Sequence, residues 1–149
     1  MRILHVNTER TWRGGERQTL LTLRGLRERD VWAGLVAQPD SPIIKAAEAE
    51  DIPTLPLPMN GPADVIAAWR LGRRFRRTKA DIVHLQTSHA ASLGLMARGF
   101  SREPPLVASR RVDFPCKAAW KYNSFDAILP ISEAIRTVLL ECGIEEKLL

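Results

Sequence analysis

The stretch Arg2-Ile3-Leu4-His5-Val6, followed across a short polar segment by Trp12-Arg13-Gly14-Gly15-Glu16, decides the fold. The apolar run predicts a strand over 2–6. The polar residues up to Gly15 predict a turn, and a helical pattern opens at Glu16 and runs to Glu28. Leu20, Leu23 and Leu26 share one side of that pattern. Strand, glycine pair and helix together bring backbone N–H groups close to an anion. Glycine has no Cβ to hold a ligand off, and a helix N-terminus carries unpaired donors and partial positive charge. A plain tight turn is the alternative reading of the same two glycines.

Working outward, the segments alternate. Further strands are expected at 32–37, 54–57, 81–86, 106–109 and 127–131. Helical patterns are expected at 41–50, 63–77, 88–98 and 132–142. Ser41 with Pro42, Ser88, and Ser132 read as helix starts, and Gly143 as a helix stop. In the 63–77 helix, Val65, Ala68, Trp69, Gly72 and Phe75 form the expected inward stripe, with arginines opposite. The strands are short apolar runs without clean alternation, as when helices cover both faces of a sheet. Strand–helix alternation implies an α/β fold with a mostly parallel sheet of about six strands. Ligands of such sheets bind beyond the C-terminal ends of the strands. Pro53, Pro56, Pro58 and Pro62 punctuate one edge strand and its exit.

With 149 residues, 45% hydrophobic and 26% charged, the chain reads as one globular domain. No run approaches the roughly 20 apolar residues of a membrane span, and the start of the chain does not read as a signal peptide. The expected location is cytoplasmic. Cys116 and Cys142 have no metal-ligand spacing and are expected to be reduced and structural. The net charge of +5 is concentrated in Arg70, Arg73, Arg74, Arg76, Arg77 and Lys79. A solvated helix face or attraction to anionic lipid accounts for that cluster. No nucleic-acid motif or interleaved aromatics accompany it, so a nucleic-acid partner is not expected.

Candidate site residues follow from the strand ends. After the first strand come Gly14, Gly15 and Glu16, without the third glycine of a dinucleotide fingerprint or a Walker loop. After the fourth come Ser88 and His89, with His84 inside the strand as a packed histidine. After the fifth comes Ser109-Arg110-Arg111-Val112-Asp113-Phe114-Pro115. Arginine forks suit phosphate or carboxylate, and Asp113 could take a proton from an acceptor hydroxyl. A local Arg–Asp ion pair ordering the loop is the alternative. Ser132 and Glu133 follow the sixth strand at the same edge.

These residues together resemble the N-terminal domain of a GT-B glycosyltransferase of family 4. The resemblance rests on the first strand, Gly14-Gly15-Glu16-Arg17, Asp81-Ile82-Val83-His84-Leu85, Ser109-Arg110-Arg111 and Ile131-Ser132-Glu133-Ala134-Ile135-Arg136. It implies a Rossmann-like three-layer sandwich, one half of a GT-B fold. It implies retaining transfer of a sugar from a nucleotide-sugar, with neither metal nor further cofactor. The domain would mainly bind the acceptor, an envelope glycan or a lipid-linked or anionic molecule, with the glycine turn bordering the cleft near the donor's diphosphate. The substrate-binding candidates are Gly14, Gly15, Glu16, His89, Arg110, Arg111, Ser132 and Glu133, with Asp113 as the catalytic candidate. Peripheral contact with the inner membrane face goes with a lipid-linked acceptor. Several positions depart from the family pattern. Asp30 and Val31 stand where glycine and histidine are common, Gln86 where a second histidine is common, and Arg111 where a histidine is common. The glutamate after the glycine pair often lies one residue later than Glu16. The chain ends about where the family crosses into its donor domain. The resemblance therefore implies a single domain over 1–149, inactive alone, as a fragment or with a partner chain supplying the donor half. A GT-B-related sugar-nucleotide epimerase and a non-catalytic flavodoxin-like module with a basic membrane-facing helix are the alternatives.

Overall fold

In the computed structural model, residues 1–100, 104–113 and 118–149 are described. Cys116, Phe114 and Pro115 lie outside them. Along the chain run β1 (Arg2–Asn7), α1 (Gly14–Arg27), β2 (Trp32–Ala37), α2 (Pro42–Glu48), β3 (Thr54–Pro56), α3 (Val65–Thr78) and β4 (Ile82–Leu85). Then follow α4 (Ser88–Phe100), β5 (Leu106–Arg110), α5 (Ala119–Tyr122), β6 (Ala127–Pro130), α6 (Glu133–Glu141) and a 3-10 turn at Glu146–Leu148. The six strands form one sheet in the order β3-β2-β1-β4-β5-β6, with every pairing parallel. The proline-punctuated β3 is an edge, where a residue without N–H is tolerated.

Side-chain alternation sends apolar residues to both faces. Leu4, Val6, Val36, Val83, Leu85, Leu106 and Ala108 pack with Ala67, Ala68, Leu71 and Phe75 of α3 and with Ala90, Leu93 and Ala97 of α4. Ile135 and Leu139 of α6 join this cluster. On the other face Ala33, Leu35 and Ala37 pack with Leu20 and Leu23 of α1 and Ile43, Ile44 and Ala47 of α2. Beyond β4 this second face is less covered: His84, Val107 and Ser109 are half-buried and Leu129 is 48% exposed. Gly94 lets α4 close onto the sheet, because a Cβ there would stand 2.6 Å from Leu85 Cδ1.

Three helix ends and one helix face depart from expectation. The helix α1 opens at Gly14, so both glycines lie in its first turn, and neither has positive φ. Thr87, not Ser88, caps α4: its Oγ1 accepts from Ala90 N at 3.1 Å. The Ser41 hydroxyl donates to Gln38 O at 2.7 Å and makes no cap bond to α2. In α3, Ala68, Gly72 and Phe75 of the expected stripe are buried, but Val65 and Trp69 face outward and the core positions expected for them are filled by Ala67 and Leu71. The small residues Ala67, Ala68 and Gly72 set the packed side, because they let the helix approach closely. By contrast, Ser132 Oγ does accept from Ile135 N at 3.3 Å, and Gly143 stops α6 at φ +81°. Asp30 adopts the left-handed conformation that ends α1, at φ 57°.

Candidate functional site

In this strand order β1 lies between β2 and β4, so the chain reverses its direction of travel between β1 and β4. A crevice opens at such a switch point, beyond the carboxyl ends of the strands. Here it is a cleft of about 350 Å³, and its lining includes Gly15, Glu16, His89, Arg110 and Arg111 among the expected residues. Gly14, Asp113, Ser132 and Glu133 are not part of that lining. Asp113 is exposed just beyond Val112, and none of the ion pairs among the described residues includes it. Ser132 is occupied as the cap of α6, and Glu133 pairs with Arg136 at 3.5 Å.

The α1 end of the cleft is built around Glu16. Its carboxylate accepts from Arg13 N at 2.9 Å and from the Asn7 amide at 3.3 Å, and the side chain is buried. This is half of a capping box: arginine has no acceptor to return the bond. Asn7 Oδ1 accepts from Glu9 N at 2.8 Å, which turns the chain out of β1. Glu16 therefore holds the strand exit against the helix start, and the first N–H groups of α1 have no intrahelical partners.

Beneath that helix start lies Arg111. Its Nη1 donates to Gln86 O at 2.9 Å and its Nη2 to Gln86 Oε1, with Thr19 Oγ1 3.5 Å away. One side chain thus joins the exits of β5 and β4 to α1. Its Nε is buried and has no hydrogen-bond partner among the described residues. A Cβ on Gly15 would stand 3.3 Å from Arg111 Nη1, so glycine here gives room to the arginine. Burial pulls the Arg111 pKa down, partly offset by the Glu16 carboxylate, yet guanidinium remains charged at neutral pH. A fixed positive charge and a helix N-terminus therefore lie together at the cleft floor, which suits an anionic group.

The arginine also determines its neighbours. Because guanidinium only donates, Gln86 must turn Oε1 toward it and Nε2 toward His5. Gln86 Nε2 donates to His5 Nδ1 at 2.9 Å, so neutral His5 carries its proton on Nε2, which is buried without a partner among the described residues. His5 sits beside His84 in the β1–β4 register, ring centroids 5.0 Å apart. Burial first, then His84 and Arg111, lower His5 to about 3. Burial and Arg111 lower His84 to about 4. Both rings are neutral near pH 7. His84 Nε2 is 2.8 Å from Ser109 Oγ, so the expected packed histidine is also a hydrogen-bonding one.

Arg110 is buried, with Nη1 donating to Tyr122 OH at 2.8 Å and the guanidinium 5.4 Å from the Tyr122 ring centre. His89 is exposed and its side chain makes no hydrogen bond among the described residues, although it lines both the cleft and an adjoining recess of about 340 Å³. Among the described residues no group of three or more His, Cys, Asp or Glu could hold a metal ion, and no helix is long and apolar enough to cross a membrane.

The sequence pattern of the glycosyltransferase family 4 description matches residues 12–148. The chain belongs to glycosyltransferase family 4. A search of curated protein sequences gives no match. Solved structures supply relatives in fold. Anabaena HepE, in complex with UDP-glucose, superposes with TM-score 0.82 at 19% identity over 99% of this chain and 42% of its own. A glycosyltransferase from Rickettsia africae does so with TM-score 0.80 at 19% identity, over 99% and 41%. The lipopolysaccharide outer core galactosyltransferase WaaB, in its apo form, gives 0.76 at 15%, over 97% and 43%. This chain thus spans about two-fifths of the length of those proteins and has the Rossmann-like fold of one half of a GT-B glycosyltransferase. Within family 4, Gln86 and Arg111 are two of the departures from the expected histidines, and they are bonded to each other. Sequence reasoning singled out neither His5 nor Thr19. Their polar character inside an apolar strand and a helix stripe was the available signal, but only the β1–β4 register brings them to Gln86.

Proposed function

We propose that this chain is the acceptor-binding half of a retaining glycosyltransferase that moves a sugar from a nucleotide-sugar to an envelope glycan or lipid-linked acceptor. The observation that carries the reading is the cleft at the strand ends of a family 4 chain, where the α1 N-terminus lies above Arg111. Such a floor favours an anionic group, as in a diphosphate donor or a phosphate-linked acceptor. The donor is a substrate, and the reading invokes no further cofactor or metal. His89 and Asp113, both accessible, are the side chains proposed to meet acceptor hydroxyls, with Asp113 as proton acceptor. The proposed location is cytoplasmic, with peripheral contact at the inner membrane face.

His89 provides the test because its side chain is exposed and makes no hydrogen bond among the described residues, so truncating it leaves the fold intact. NMR shift perturbation with UDP, UDP-glucose and a lipid-phosphate glycan should move signals of 13–16, 86–89 and 109–112. His89→Ala should weaken acceptor binding about tenfold. Transfer by the whole protein, with the product anomer read by NMR, checks retention. The proposal fails if no UDP-sugar or phosphoglycan perturbs the cleft and no transfer is measured.

A further inference from the structure

The outer side of α3 is the most strongly marked surface outside the cleft. Ala67, Ala68, Leu71, Gly72 and Phe75 face the core. Opposite them, Ile66, Trp69, Arg70, Arg73 and Arg77 follow helical spacing down one side. Val65 is 57%, Ile66 63% and Trp69 44% exposed. Trp69 and Arg70, Arg73, Arg74 and Arg77 line a surface groove of about 260 Å³. The Arg73 guanidinium lies 5.0 Å from the Trp69 ring centre, and none of the ion pairs among the described residues involves an α3 arginine. The face is thus divided along its length, with an apolar first turn and a basic remainder.

The direction of the helix follows from its ends. Thr78 O accepts from Arg2 Nε at 2.7 Å, beside the start of β1. Ahead of the other end, Met59 N donates to Gln38 Oε1 at 3.1 Å, beyond the carboxyl end of β2, and the next residue, Asn60, donates its N–H to the carboxylate of Asp64, the cap of α3, at 3.1 Å. The apolar turn therefore lies at the cleft edge of the sheet, and the arginines descend from it. We infer that the outer face of α3 docks on an anionic lipid bilayer, with Val65, Ile66 and Trp69 at the acyl boundary and Arg70, Arg73 and Arg77 among the phosphate headgroups. The inference rests on the peripheral-contact part of the function proposed above and is independent of its transferase part. A bilayer matches both halves of the face. A soluble polyanion would meet the arginines and leave Val65, Ile66 and Trp69 in water. Interfacial tryptophan and a basic polar side are what such a surface selects. Docking in this orientation brings the bilayer to the recess lined by Arg10, Arg13, Asn60 and His89, which shares Arg13 and His89 with the cleft. An acceptor whose lipid stays in the membrane would then reach the cleft along that recess.

Vesicle sedimentation tests this, using phosphatidylcholine alone and phosphatidylcholine mixed with phosphatidylglycerol, with no nucleotide-sugar present. The chain should pellet with the anionic vesicles only, less so as salt rises. Each arginine near an anionic surface contributes roughly a fivefold gain in partitioning. The triple variant Arg70→Glu, Arg73→Glu, Arg77→Glu should therefore lose about a hundredfold or more. Trp69→Ala and Ile66→Ser should each weaken binding several-fold, and circular dichroism should show all variants folded. Unchanged binding by the triple variant would overturn the assignment to α3 while leaving peripheral contact elsewhere. Failure of the unmodified chain to bind anionic vesicles would remove peripheral contact altogether, with the nucleotide-sugar titration unaffected. If charge reversal abolishes binding but Trp69→Ala and Ile66→Ser do not weaken it, the apolar contact is overturned and the face is a polyanion site.

Discussion

Arginine at the cleft floor and arginine on α3 are committed in opposite directions. Arg111 is spent inside the protein, on Gln86 and alongside Thr19, and its charge reaches the cleft only as a fixed field. Arg70, Arg73 and Arg77 leave their charge at the surface, where water screens it and folding does not depend on it. The difference teaches that a basic residue near a site is informative only once its donors are counted. By that count the Arg111 guanidinium is a strut with an electrostatic side effect, whereas the α3 guanidinium groups are available to a partner.

The largest expected effect concerns the neutral pair beside the strut. His5 and His84 have folded pKa values of about 3 and about 4, below the ordinary 6.5. The unfolded chain therefore binds more protons as pH falls from 6.5 toward 4, and stability is lost over that window. The cost at pH 4 is roughly 3 kcal/mol for His84 alone. Urea unfolding midpoints from pH 7 to pH 4 should fall steeply, and His84→Gln should flatten the slope by about one proton. An equal slope in the variant would show that His84 does not titrate on unfolding.

Next comes Arg111→Ala. It leaves the carbonyl and amide oxygen of Gln86 without their donor, at a cost of about 3 kcal/mol, or a Tm lower by roughly 6–12 °C in a domain of this size. Arg111→Met, which fills the volume, should recover only part of that. A Tm equal to that of the unmodified chain would show that the strut contributes nothing.

A smaller contrast separates the glycines. A Cβ at Gly14 meets nothing within 4 Å, whereas one at Gly15 meets Arg111 Nη1 at 3.3 Å. Gly14→Ala should raise stability by about 0.5 kcal/mol. Gly15→Ala should fall below it by up to about 1 kcal/mol, measured by thermal melting. Identical melts would show that Arg111 yields freely. The smallest effect is expected on α3, where Arg70→Glu, Arg73→Glu and Arg77→Glu together should change stability by less than about 0.5 kcal/mol per position. A large loss would mean that these arginines support the fold after all.

Much of the fold was legible because its signals are local. Apolar runs marked β1, β2, β4, β5 and β6, the 3.6-residue stripe marked α1, and Ser132 and Gly143 bounded α6. The boundaries of α1 and α4 shifted where a neighbour intervened: Glu16 reaches back to Arg13 so that the helix begins at Gly14, and Thr87 takes the cap while bonded to Thr8. The short α5 was not legible, since four residues carry no period.

By itself the sequence determined that strands and helices alternate, that the sheet is parallel, and that the loops after β1, β4 and β5 face one edge. These follow from side-chain periodicity, turn residues and the handedness of crossovers, which are properties of short segments. Only the tertiary structure decided that Arg111 bonds to Gln86, that His5 lies beside His84, and that Trp69 faces outward. Those outcomes depend on strand order, on register across residues far apart in sequence, and on which side of α3 is small enough to pack. No local pattern encodes them, because each is a choice between two partners that meet only when the sheet is assembled.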